Sequence, residues 1–452
     1  MNFLQFFVWG AWLITIANYW FGTKNWSGSE FGAIFATMGF ASLFMPTLTG
    51  IIADRWVNAE KLHSLLHILY AGVLFYLTTV NDPTTFFWVM FVAMCFYMPT
   101  IALNNSISYT VLKNTGHDVV KDFPPIRVFG TVGFIAAMWI TNLTDSKATE
   151  NQFYIAGVAA VFLAVFAMFS IPKCKPQHLI NKEASLVEQF GLEAFKLFGN
   201  YKMALFFIFS MFLGGALQLT NAYGDVYLDE FKHFPKYAES FVTKYSTIIM
   251  SISQVSETLF ILAIPFFLKR FGIKKVMIIS MLAWVLRFAL LGFGDPGTGL
   301  WMIIVSCIVY GMAFDFFNIS GSLFVETSTD SKIRSSAQGL FMMMTNGFGA
   351  VFGSLTSGWL IDKYFTKSFT KTQDLAQYLD TEPQNDHLLS FISNQKLSVD
   401  ALGNISGEIF VKDWTNIWLT FATYALVIAV LFTLFFKHEH DVKTNDFEDI
   451  GH

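Results

Sequence analysis

Ser251-Ile-Ser-Gln-Val-Ser-Glu-Thr-Leu-Phe260 sets a carboxylate, Glu257, inside a long apolar stretch. Val309-Tyr-Gly-Met-Ala-Phe-Asp-Phe-Phe-Asn318 does the same with Asp315. Both stretches read as membrane spans. A carboxylate in hydrocarbon costs several kcal/mol unless it is paired, protonated or wetted, so such residues mark pathways and proton sites. The two stretches therefore imply a polytopic membrane protein that moves something across the bilayer.

Composition agrees. The 452 residues are 54% hydrophobic and only 14% charged, against about 25% charged for a soluble protein. Mean hydropathy is +0.49. Net charge is −4 and no basic block is present, which argues against a nucleic-acid partner. Cys95, Cys174 and Cys307 lack metal or redox spacing and read as small hydrophobes. Met1 leads into the first apolar run without a basic segment or a small-residue cleavage site, so that run is expected to be a retained span.

A span needs about 20 apolar residues. About twelve runs qualify: 3–22, 31–52, 62–80, 85–112, 124–143, 152–171, 203–228, 244–267, 275–294, 299–324, 336–361 and 414–436. Pro46 and Pro99 are expected kink points, and Pro124 with Pro125 suits a helix start. With the amino terminus in the cytoplasm, eighteen Lys and Arg fall inside and ten outside, five of the ten in one long loop, while Arg287 lies within a span. That bias puts both termini in the cytoplasm. The polar segment 172–201 divides the chain into a half at 1–171 and a half at 202–436, and 437–452 forms a cytoplasmic tail. An external segment near 363–413 is long enough to be an ordered subdomain or a lid. Asn142 and Asn404 match the glycosylation pattern, which is short enough to arise by chance.

Six plus six spans, a basic loop after spans two and eight, and Gly50-Ile-Ile-Ala-Asp-Arg55 resemble the major facilitator superfamily. Its loop signature is only partly matched, because Val57 and Asn58 replace the following glycine and basic residue. The resemblance implies an all-α fold of about twelve spans, with a site near the midplane and transport by rocking of the halves.

Four spans carry the chemistry. In Asp122-Phe-Pro-Pro-Ile-Arg-Val-Phe-Gly-Thr-Val-Gly-Phe-Ile135, the residues Arg127, Thr131 and Phe134 share one helical face. That face either lines a cavity or leaves Arg127 to snorkel to the surface. Gln218 and Asn221 share a face in span seven; their carboxamides suit a nucleobase edge, sugar hydroxyls or simple interhelical bonds. Gln254 and Glu257 share a face in span eight. Glu257 would exchange a proton between the two sides, or else form a fixed pair with Arg127 or Arg287. Tyr310 and Phe314 share a face in span ten and offer stacking surfaces, or core packing. Asp315 lies about 100° further round and is expected to act in gating or coupling, or in a fixed interhelical bond. His63 and His67 are four apart without a third ligand, so no metal is expected. No catalytic cluster or cofactor motif is present. Gly347, Gly349 and Gly353 read as close helix packing.

Asp122-Phe-Pro-Pro-Ile-Arg127, Ile249-Met-Ser-Ile-Ser-Gln254, Ser256-Glu-Thr-Leu-Phe-Ile-Leu262, Ala313-Phe-Asp-Phe-Phe-Asn-Ile-Ser-Gly321 and Met344-Thr-Asn-Gly-Phe-Gly349 resemble the bacterial nucleoside:proton symporters of that superfamily. The resemblance implies a monomeric, proton-coupled nucleoside importer of a bacterial inner membrane. It places the substrate site on Arg127, Thr131, Phe134, Gln218, Asn221, Gln254, Glu257, Tyr310 and Phe314. Glu257 and Asp315 become the proton-coupling or gating carboxylates. The long 363–413 segment and a short amino terminus depart from the family pattern. A proton-coupled sugar permease is the alternative within the superfamily, and a membrane enzyme or receptor the alternative outside it.

Overall fold

A computed structural model describes residues 1–176, 192–330 and 333–437. Residues 177–191 of the expected linker and 438–452 of the expected tail lie outside the described residues, as do Lys182, Lys332 and Lys443 from the charge count. The long elements are α1 (Asn2–Gly10), α2 (Gly28–Arg55), α3 (Ala59–Leu77), α4 (Pro83–Asn114), α5 (Val119–Leu143), α6 (Asn151–Ser170), α7 (Tyr201–Glu230), α8 (Ile252–Phe293), α9 (Leu300–Ser328), α10 (Arg334–Met342), α11 (Ala350–Leu360) and α12 (Trp414–Phe435). By length and apolar composition, eight helical stretches among the described residues can cross a membrane. The expected twelve is reached only by also counting the broken stretch 2–23, α3, the second arm of α8 and the broken rod 334–365.

Local sequence explains where the helices start. Ser27 Oγ accepts from Glu30 N at 3.3 Å before α2. Asp82 Oδ2 accepts from Thr85 N at 2.7 Å before α4, with Pro83 in the first turn, where a missing N–H costs nothing. Asn200 Oδ1 accepts from Lys202 N and Met203 N before α7. Each cap contributes about 1 kcal/mol. The helix continues through Pro46 and Pro99, and α5 starts at Val119, ahead of Pro124. The helical run breaks at Gly272, whose φ of 75° is open to glycine, so the expected loop between spans eight and nine contracts to one residue. Wider π-helical turns at Asn18–Thr23, Met343–Gly349 and Ile361–Phe365 interrupt two further spans.

Small residues let the helices approach. Gly214 and Gly215 of α7 lie against the backbone of the 334–365 rod at Thr345, Gly349 and Gly353. Gly32 of α2 meets Ser354 and Gly358 on another side of the same rod, and Gly133 of α5 meets the Phe3 backbone of α1. Close backbone contact of this kind supplies the packing that lipid, being as apolar as the side chains, does not drive. Elsewhere α8 packs on α9 and α12, α2 on α4, and α3 on α4 and α6.

The segment near 363–413 is an ordered α+β unit. Strands β1 (Thr366–Lys371) and β2 (Asn404–Lys412) pair antiparallel, with a register shift between Phe369 and Lys371. The short helices Thr372–Tyr378 and Asp386–Asn394 cover them around a separate core of Leu375, Leu379, Leu388, Ile392, Ile405 and Ile409. It is fastened to the bundle by Lys412, whose Nζ lies 2.6 Å from Glu230 Oε1 and 3.8 Å from the Phe21 ring centroid. The all-α membrane fold thus carries one two-stranded antiparallel sheet at one end.

Candidate substrate and proton site

The expected residues come from four helices: Arg127, Thr131 and Phe134 on α5, Gln218 and Asn221 on α7, Gln254 and Glu257 on α8, and Tyr310, Phe314 and Asp315 on α9. Gln218, Tyr310 and Asp315 are buried and the others half-buried. The charges of Arg127, Glu257 and Asp315 act on one another, so α5, α8 and α9 bring one cation and two carboxylates into a single field. Asp315, expected to face a neighbouring helix, joins this group. Among the described residues no ion pair within contact distance joins Arg127 to either carboxylate. The guanidinium lies over the Phe6 ring at 4.1 Å, so it faces inward rather than snorkelling.

The rings are arranged for stacking. Tyr310 and Phe314 are parallel within 10°, with centroids 6.1 Å apart. Trp284 meets Tyr310 edge-on at 5.9 Å, and the Arg287 guanidinium covers it at 4.6 Å. Phe134 stands edge-on to Trp9 at 6.3 Å. Three acceptors nearby, Gln218 Oε1, Gln254 Oε1 and Asp315 Oδ2, are buried without a hydrogen-bond partner. A partnerless buried acceptor costs about 1–3 kcal/mol, and three on neighbouring helices mark places where a ligand's donors would fit.

Arg287 was legible only as a cation within a span. It is fully buried, and it donates from Nη1 to Ser306 O at 2.8 Å and to Ser253 Oγ at 3.3 Å, and from Nε to Thr220 Oγ1 at 3.3 Å. Among the described residues it has no carboxylate partner, so it is not the expected pair of Glu257; it braces Tyr310 instead. The histidines hold each other: His63 Nε2 lies 2.8 Å from Gln5 Oε1, and His67 Nδ1 lies 3.0 Å from His63 O.

A second constellation was missed. At the end of the bundle that carries β1 and β2, Asn18 Nδ2 donates to Asp225 Oδ2 in a short bond. Lys147 reaches Asp229 Oδ1 at 2.5 Å and Ser246 Oγ at 2.9 Å. Burial disfavours the Lys147 charge, but Asp229 and Asp225, with Asp145, together outweigh it and lift the ammonium above its ordinary range. Asp362 accepts from Gly28 N at 2.7 Å and caps α2 from across the bundle. Asn142 is buried and bonds Lys244 O at 2.9 Å, so its glycosylation pattern is chance. The only sequence signal was Asp225 and Asp229 four apart near the end of an apolar run.

A sequence model of the nucleoside H+ symporters matches residues 1–379. The chain belongs to that family. It is similar to the xanthosine permease of Escherichia coli K12, with 48% identity over 442 residues, 98% of this chain and 95% of the relative. The nucleoside permease NupG of the same strain is 43% identical over 443 residues, covering 97% and 95%. A crystal structure of a mutant of the nucleoside transporter NupG superposes with a TM-score of 0.84 at 42% identity, covering 96% of this chain and 98% of that one. The symporter is therefore a membrane transporter with the major facilitator architecture and not an enzyme. Nucleosides and protons are its substrates.

Proposed function

We propose that this symporter imports nucleosides across a bacterial inner membrane by alternating access, as a monomer with both termini in the cytoplasm. The halves 1–171 and 202–436, joined through 172–201, would rock about the cluster on α5, α7, α8 and α9. Phe134, Tyr310 and Phe314 clamp the base, and Gln218, Asn221 and Gln254 bond base or ribose, with Thr131 beside them. Arg127 and Glu257 link substrate to proton, and Asp315 tunes the same field. The observation that carries this reading is the meeting of three partnerless acceptors with a stacked ring pair beside one cation and two carboxylates.

The two halves touch through hydrogen bonds grouped toward the end that carries β1 and β2: Asn18 to Asp225, Asn142 to Lys244, Lys147 to Ser246, and Gly28 to Asp362. That grouping supports a conformer closed outside and open to the cytoplasm. A proton arriving on Glu257 removes its charge from the field around Arg127, which then turns to the ligand. Because a ligand shifts a conformational equilibrium only through differential affinity, proton and nucleoside together favour the state in which the outer contacts part. The test is uptake of labelled uridine by proteoliposomes under an inward proton gradient. Concentrative uptake that collapses with the gradient and resists excess ribose, sucrose or maltose is expected. Uptake that sugars abolish would replace this reading with the sugar-permease one.

A further inference from the structure

A cavity of about 860 Å³ lies away from the central cluster, between the α+β unit and the helix ends beneath it. We propose that this cavity is a second, outer nucleoside site that holds substrate above the closed end before it opens. The proposal rests on the transport reading above and on the outward placing of the 363–413 segment.

The volume falls within the roughly 300–1,000 Å³ of small-molecule sites. Its lining includes the His233 and Phe391 rings, which stack on each other 4.2 Å apart and 31° from parallel and join the bundle to the α+β unit. The polar groups that remain free in the cavity point to an uncharged ligand. Three of the carboxylates lining it are already committed. Asp229 pairs with Lys147 and Lys232, Glu230 holds Lys412 and the Trp414 indole, and Asp362 caps α2. A metal ion or an organic cation would have to break those pairs or rest on Glu239 and Glu408, which are exposed and solvated, and an anion would meet all five acids. What is left buried without a partner is neutral. Asn18 is 2% exposed, and its Oδ1 accepts no hydrogen bond. His387 Nδ1 is likewise buried and unpaired. A ligand with hydroxyl donors and one flat heterocycle matches an amide acceptor, an imidazole nitrogen and an aromatic wall. A nucleoside has all three features, and a sugar lacks the ring.

The place of Asn18 gives the site a consequence. The same side chain lines the cavity and bonds Asp225 across the closure. A hydroxyl donated to Asn18 Oδ1 therefore acts on a residue that holds the outer end shut, so occupancy of the vestibule favours release of that bond.

Ser390 lies on the exposed wall of the cavity, and the native thiols Cys174 and Cys307 are buried and Cys95 half-buried. The test is Ser390→Cys in the full-length protein in intact cells, labelled from outside by a membrane-impermeant maleimide. Uridine should slow the labelling and ribose should not. The slowing should persist when Gln218→Ala and Phe314→Ala disable the central site, and His387→Ala should weaken it. Protection that vanishes with the central-site substitutions would show that labelling merely reports rocking, and would overturn the outer site while leaving the transport reading intact. Absence of protection alongside normal uridine uptake would do the same. If the introduced thiol were reached only from the cytoplasmic side, the outward placing on which both readings stand would be overturned.

Discussion

Glu257→Gln preserves the size and hydrogen bonding of the side chain but removes its proton. If Glu257 carries the coupled proton, gradient-driven accumulation of uridine in proteoliposomes falls to the equilibrium level, while exchange of uridine between the two sides persists. Full accumulation by this variant would assign the proton to Asp315, the other carboxylate in the same field. Phe314→Ala acts on a different term. Phe314 is half-buried and parallel to Tyr310, so it offers a face that a base can cover, and removing one such face costs about 1–3 kcal/mol. Calorimetry should show uridine binding weakened by that amount, while any binding of ribose is left as it was. Tyr310 is a poorer probe, since Arg287 and Trp284 both rest on it and its loss would disturb the packing as well as the stack.

At the scale of elements, the rod from α10 through α11 is where packing is least forgiving. A Cβ on Gly353 would collide with the Gly215 backbone of α7, whereas one on Gly339 would meet nothing within 4 Å. Gly353→Val should therefore lower the melting temperature and the yield of monodisperse protein, with overpacking costing about 1–3 kcal/mol. Gly339→Ala in the same rod should be neutral or stabilising by about 0.4–1 kcal/mol, because it restricts the unfolded chain without a clash. Equal thermal stability of both variants would remove the close α7–α11 contact from the account. The sequence made these helices legible because a span is written in length and apolarity, and the glycines at 347, 349 and 353 were readable as contact points. It did not reveal the π-helical turns or the break at Gly272, since both depend on how neighbouring helices pack. The 363–413 segment was readable as an ordered subdomain or a lid, but not which, because its core of Leu375, Leu388 and Ile409 joins positions far apart in the chain. At the site, one-face spacing located Gln254 with Glu257 and Tyr310 with Phe314. It could not say that Arg287 would turn to Tyr310 or that Asn18 would meet Asp225, since both pairings need the fold.

For the whole molecule, the decisive question is whether the end carrying β1 and β2 must open. Every closure contact there joins a residue before 171 to one after 202: an amide on a carboxylate, an ammonium pair, a carboxylate on a helix start. A few polar contacts confined to one end suit a closure that forms and breaks in each cycle, because a seam held along its whole length could not be shifted by the differential binding of one small substrate. Ser29 and Asp362 provide a direct probe, since both the amide and the hydroxyl of Ser29 donate to the Asp362 carboxylate. Ser29→Cys combined with Asp362→Cys places two thiols at that contact. Oxidation should trap the closed conformer, so uridine uptake should be lost on disulfide formation and return on reduction, while either single variant keeps its uptake under the same oxidant. Uridine binding to the trapped protein in detergent should survive, because the central cluster would remain reachable from the opposite end. Uptake that continues in the cross-linked protein would mean that α2 and the 334–365 rod stay joined at this end throughout transport, and the rocking of two halves would then have to be abandoned for movement of other elements.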